Sequence, residues 1–315
     1  MPDSGFSPSL ERWDGELHAG SSLRSAVRWG LHVALFAATL LSTTVFGFAL
    51  EHAFELRQPL NPEAIFDGYG LLEHLDRHVW LGLSFSLPLM TILLCHEFGH
   101  YFECRRRGLD ASLPYFLPSP TLLGTLGAFI RIRSPFYTRE GLFDVGISGP
   151  IAGFIALLPF LVAGVALSHV SPAPLHAPVT FGTPLLMRAV EIILFPGVSP
   201  SRILLHPMAM AALGGLLTTA INLLPVGQLD GGHILYALTG ERWHHRISTV
   251  LVIVLALLGL VYWPWCIWAL ILFFFGRRHP LTYDRSPLKR GRLVLSGAAL
   301  FMFLASICVV PVSVA

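Results

Sequence analysis

Long apolar runs separated by short polar breaks dominate this chain, and runs of that length predict helices that cross a membrane. They fall at about residues 26–50, 78–102, 144–168, 203–224, 247–262, 264–276 and 293–312, so seven transmembrane helices are expected. The fifth and sixth are joined by Tyr262, Trp263, Pro264 and Trp265, where the proline interrupts the helix and the aromatic rings suit an interface. Residues 1–23 are polar and carry Pro, Ser and Gly, so a disordered tail is expected ahead of a single membrane domain, 24–315. The stretch 110–140 breaks the pattern. Its SLPYFLPSP segment holds three prolines, which forbid continuous helix. Residues 121–133 suit a small β-hairpin that dips into the membrane where protein shields it.

Composition agrees with an all-α polytopic membrane protein: 54% of residues are hydrophobic and 13% charged, and the mean hydropathy is +0.65. A net charge of +2 gives no footprint for a polyanion, and no nucleic-acid motif is present, so nucleic acid is excluded as a partner. Cys95, Cys104, Cys266 and Cys308 are scattered and form neither a disulfide framework nor a CxxC pair. Arg24, Arg28 and the run Arg105, Arg106, Arg107 put the N-terminus and the end of the second span in the cytoplasm. Residues 51–77, 169–202 and the C-terminus then lie outside. Reading 247–262 and 264–276 as a tight pair keeps Arg277, Arg278, Lys289, Arg290 and Arg292 inside.

The candidate chemistry sits in the second run, as His96, Glu97, Phe98, Gly99 and His100. Two histidines four apart share one helical face and can reach one Zn²⁺, while Glu97 beside them can take a proton from the attacking water. No charged residue precedes the motif from Val79 to Cys95, and ionisable groups in a membrane span mark function by default. Arg105 follows five residues after His100, about 7–8 Å along the helix, so the metal is expected just inside the cytoplasmic face. For a third ligand there are two carboxylates. Glu103 stands about 10 Å along the axis from His96, too far for one ion with bonds of about 2 Å. Asp230, in the segment NLLPVGQLDGGH, arrives from another span at the same depth, after Pro225 and before Gly231 and Gly232, which are expected to loosen the backbone. Asp230 is therefore the expected ligand. Between the two motifs, GISGPIAGF supplies Gly146, Gly149, Ala152 and Gly153, read as small residues for close helix contact.

HEFGH at 96–100 followed by NLLPVGQLDG at 222–231 resembles the site-2 protease family of intramembrane zinc metalloproteases, and GISGPIAGF resembles the Gly-Pro-rich second core helix of that family. The resemblance covers about 79–235 and implies a three-helix catalytic core there, with extra helices at about 26–50, 247–276 and 293–312. It implies His96, His100 and Asp230 as zinc ligands, Glu97 as general base and acid, and Asn222 as a residue that steadies the substrate or the oxyanion. It further implies a transmembrane-helix substrate, a multi-pass home in the cell membrane (a bacterial inner membrane), and an active site near the cytoplasmic face. Many members carry a PDZ domain or a CBS pair; this chain has room for neither. The alternative reading is a non-enzymatic membrane zinc protein, a carrier or inactive scaffold. Glu97 argues for the enzyme, since a binding-only site needs no general base.

Overall fold

The structure is a computed structural model that describes residues 9–60, 79–120, 123–275, 282, 284, 286 and 288–314, with side chains from Trp29 onward except those of Val79, Phe275 and Val314. Helix α1 (Ser9–Glu55) starts well inside the expected disordered tail. No proline follows Pro8 in that stretch, and extending an established helix costs no new nucleus, so the helix runs back to Ser9. Residues 1–8 lie outside the described residues. A 3₁₀ turn, Val79–Gly82, leads into α2 (Leu83–Arg106).

Strands β1 (Tyr115–Pro118) and β2 (Thr125–Phe129) then pair antiparallel, and the ladder continues through the Ala111–Ile132 bridge. The hairpin is thus longer than expected and begins earlier, with its first strand in the proline-rich segment rather than within 121–133. Proline is tolerated there because Pro118 sits at a register shift, where the ladder needs no donor from it. The hairpin lies along α1. Its base touches His32, whose Nδ1 is 3.0 Å from the Pro114 carbonyl oxygen, and its turn meets Ser42, which donates to the Gly124 carbonyl at 2.6 Å. Ten helical residues separate those contacts, so the hairpin runs about 15 Å down the helix.

Helix α3 (Arg139–Ala166) follows, N-capped by Thr138. The loop expected at 169–202 is more ordered than its prolines implied. It holds β3 (His169–Val170), β4 (Val179–Phe181), helix α4 (Leu185–Leu194) and a 3₁₀ turn at Pro200–Arg202, and it leads into β5 (Ile203–Leu204). Next come α5 (Pro207–Asn222), α6 (Asp230–Thr239), α7 (Glu241–Leu258), α8 (Pro264–Phe275), α9 (Arg290–Ser306) and β6 (Val312–Val314). His206 caps α5, its Nδ1 accepting from the Met208 N–H at 3.1 Å.

Among the described residues three helices are long and apolar enough to cross a membrane, with crossing segments Trp29–Glu55, Trp80–Arg106 and Arg139–Ala166. The other expected spans are helices of 16, 18, 12 and 17 residues. At 1.5 Å per residue these measure about 18–27 Å, short of a hydrocarbon core of about 30 Å. Their apolar runs are longer than their helices because β5, the turn at 259–263 and β6 take residues from the ends.

Helices α2, α3 and α5 pack mutually through Leu89, Ile92, Leu157, Leu161 and Leu216, all buried. The connections sort to two ends. At one, Phe54 stacks on His169 with ring centroids 4.5 Å apart, β3 pairs with β5, and β4 pairs with β6. At the other, Asp144 of α3 accepts from Arg107, which caps α2, and, at 2.8 and 2.7 Å, from Arg292 of α9. The HEFGH segment lies toward this second end.

Candidate metal centre

His96 and His100 occupy successive turns of α2 and point into the bundle, where both are buried. The His100 ring is set by its Nδ1–H, which donates to the Val145 carbonyl oxygen of α3 at 2.7 Å. That proton placement leaves Nε2 with a bare lone pair in the neutral ring. Asp230, the first residue of α6, brings a carboxylate oxygen to the same point. Its Oδ2 is 3.2 Å from His96 Nε2 and 3.3 Å from His100 Nε2, and the two Nε2 atoms are 3.2 Å apart.

Those three edges suit a single tetrahedral cation. Ligands bonded at about 2.0–2.1 Å around a tetrahedral Zn²⁺ stand about 3.3 Å from one another. Three donors already at 3.2–3.3 Å therefore form one face of such a tetrahedron, with the fourth corner unassigned. Two lone pairs and a carboxylate pressed together out of water repel one another without a cation. Nitrogen and oxygen donors of this kind suit zinc.

The other expected residues fall around the triangle. Asn222, the last residue of α5, has its amide Nδ2 3.1 Å from His96 Nε2. Glu97 is buried, with the backbone of Ile130, just past β2, beside its carboxylate. Glu103 is turned away, accepting from Arg106 at 2.7 Å and Arg107 at 2.6 Å. Cys104 is buried in a separate apolar cluster with Ala111 and Val145.

Two glycine roles differ from the expectation. In GISGPIAGF the glycines do more than admit a neighbouring backbone. A methyl group on Gly149 would stand 2.1 Å from His100 Nε2, and one on Gly153 3.0 Å from the His96 Cβ. The imidazoles rest on bare backbone. Gly149 and Gly153 repeat the four-residue spacing of the two histidines, a cue that by itself does not tell an imidazole seat from a backbone contact. Gly231 and Gly232, for their part, do not loosen the chain. A Cβ on either would lie 2.1–2.4 Å from the carbonyl oxygens of Leu223 and Gly227, so they let the turn 223–229 fold tightly onto the start of α6.

A buried HExxH helix is joined here by a carboxylate from a later helix, inside an apolar bundle, in an arrangement that could hold one metal ion. The chain belongs to peptidase family M50, whose family model matches residues 84–262. It is similar to the probable zinc metalloprotease EGY2, chloroplastic, of Oryza sativa subsp. indica, with 28% identity over 282 residues, covering 86% of this chain and 49% of that protein. It also matches the probable zinc metalloprotease EGY1, chloroplastic, of Arabidopsis thaliana, with 30% identity over 209 residues, covering 64% of this chain and 38% of that one. The chain thus spans half or less of the length of these relatives. Among solved structures, the site-2 protease of Methanocaldococcus jannaschii aligns with 71% of this chain and 91% of its own at 17% identity, with a TM-score of 0.38.

Proposed function

We propose that the protein is an intramembrane zinc metalloprotease that hydrolyses peptide bonds within or near the transmembrane helices of membrane-protein substrates, as in regulated intramembrane proteolysis. The observation that carries this reading is the triangle of His96, His100 and Asp230 donors at 3.2–3.3 Å, with the buried Glu97 next to His96 in sequence. Those three residues would hold a Zn²⁺, which would supply a Lewis acid and lower the pKa of water to about 7. Glu97 would take a proton from the attacking water through its carboxylate and pass it to the leaving amine. Asn222, beside His96, is placed to donate to the carbonyl oxygen under attack. A helical substrate hides its carbonyls in i→i−4 bonds and must unwind locally before attack, and the hairpin beside Glu97 can take up the extended segment by strand addition.

The membrane arrangement belongs to the same proposal. The end with Arg105, Arg106, Arg107, Lys289 and Arg292 is cytoplasmic by the positive-inside rule, and the metal centre lies near it. The short helices complete seven spans, since α5, α9 and the α7–α8 pair run between or return to the two ends formed by the longer helices. The hairpin, lying about 15 Å along α1, is then a membrane-dipping element shielded on one side by protein. The setting we propose is a bacterial inner membrane.

The test is cleavage of a single-span substrate in liposomes with product mapping by mass spectrometry. New termini within or beside the apolar segment, lost with a zinc chelator and recovered with zinc, support the proposal. A zinc-loaded protein that leaves every such substrate intact would contradict it and favour a carrier or scaffold.

A further inference from the structure

Asp230 can serve the metal only if the seven-residue turn before it is held still, and α7 supplies that restraint. Within the turn 223–229, Gly227 has a positive φ of 59°, and both of its peptide groups are bound by one face of α7. Its carbonyl oxygen lies 3.1 Å from His244 Nε2, and its N–H donates to Ser248 Oγ at 3.3 Å. The two side chains are four residues apart and almost wholly buried, at 1% and 0% exposure. The adjacent Val226 is fully buried among Val252, Leu255 and Trp265 of the α7–α8 pair. From this anchor the chain reaches Asp230 in three residues, tied by the Leu229 N–H to the Val226 carbonyl at 3.3 Å.

A histidine and a serine buried on the inward face of α7 carry a desolvation cost that hydrogen bonding must offset. Here the polar groups meet a backbone turn whose peptide groups would otherwise be orphaned. We propose that His244 and Ser248 are positioning residues for the metal centre: they clamp Gly227 and so fix where the Asp230 carboxylate meets His96 and His100. The clamp gives α7 and α8 a task in the site although neither helix touches the metal triangle. With Nε2 facing a carbonyl, His244 carries its proton on that nitrogen and donates. Groups that orient a metal ligand typically change affinity by about 10–100-fold when lost.

The inference rests on Asp230 being a ligand, so the experiment includes that residue. Zinc dissociation constants are measured by chelator competition on the full-length protein in detergent, together with melting temperatures with and without zinc. His244→Ala and Ser248→Ala are expected to weaken zinc binding by about 10–100-fold and to shrink the zinc-dependent rise in melting temperature. His244→Gln, which keeps an N–H donor, should recover most of the affinity. A purely structural role would lower the metal-free melting temperature and leave the zinc-dependent rise intact. That result, unchanged zinc affinity in the alanine variants, or no recovery with glutamine overturns the clamp. Ser248→Ala serves alone if His244→Ala does not fold. If Asp230→Ala loses zinc while the alanine variants keep it, only the clamp fails; if Asp230→Ala keeps zinc, the ligand assignment itself fails.

Discussion

Asp230 and Glu103 are the two carboxylates weighed as a third ligand, and they face different partners. Glu103 accepts three hydrogen bonds from Arg106 and Arg107 at 2.6–2.7 Å, whereas Asp230 faces two imidazoles. Asp230→Ala is therefore expected to reduce zinc occupancy to near background, and Glu103→Ala to leave it largely intact, by metal analysis of the purified variants. The reverse pattern would overturn the ligand set. Gly149→Ala offers an independent test at the same scale. Its methyl would lie 2.1 Å from His100 Nε2, and the atoms that must give way are an imidazole with its partner carbonyl on the same helix. Zinc occupancy should fall as far as in the ligand variants, even though no donor is removed. The pairing of the two histidines was legible from spacing, because helical geometry fixes what residues four apart can share, whereas Asp230 was expected from the choice between two carboxylates and from the resemblance. The seats at Gly149 and Gly153 were not legible, because a glycine that admits a backbone and one that admits an imidazole look identical in a sequence.

At the scale of elements, the hairpin carries the proposed substrate role close to the candidate base. Its second strand ends at Phe129, and the backbone of the next residue, Ile130, lies beside Glu97. Ile130→Pro removes a backbone N–H at the point where an extended substrate would add. A backbone hydrogen bond contributes about 0.5–1.5 kcal/mol, so kcat/KM should fall roughly 2–10-fold while zinc content holds. Unchanged turnover would make the hairpin a passive loop. Its strand character was readable from the prolines and the alternation, but its start was not. The segment SLPYFLPSP contains as many turn signals as strand signals, and only the pairing with 125–132 reveals its role. The same applies to the turn before Asp230. Pro225 marked the helix end correctly, whereas the close approach of Gly231 and Gly232 to two carbonyl oxygens depends on how the turn folds back.

Across the whole molecule, connections at the two ends bind helices that hydropathy alone treats as independent. Phe54, His169 and β5 hold one end, while Arg107, Asp144, Glu140 and Arg292 hold the other, with Arg292 3.0 Å from Glu140. The apolar runs announced a membrane protein, yet they overstate the helices, since strand and turn residues are as apolar as their neighbours in this chain. The arrangement predicts a labelling pattern. In a background without the four native cysteines, Thr180→Cys should react with an impermeant reagent added outside and Ser286→Cys should be protected, both side chains being exposed on the protein. The opposite result would invert the topology and put the metal centre near the outer face.

The central claim is that Glu97 performs proton transfer at a metal centre built by its neighbours. It is tested most directly by Glu97→Gln, assayed for bound zinc and for cleavage of a transmembrane substrate in the same preparation. Glutamine keeps the size and the polar end of the side chain but cannot take a proton, so the variant should bind zinc as wild type does. Its cleavage rate should fall by about 10²–10⁴-fold, the usual contribution of a general base. A zinc-loaded Glu97→Gln protein that cleaves at close to the wild-type rate would contradict the account.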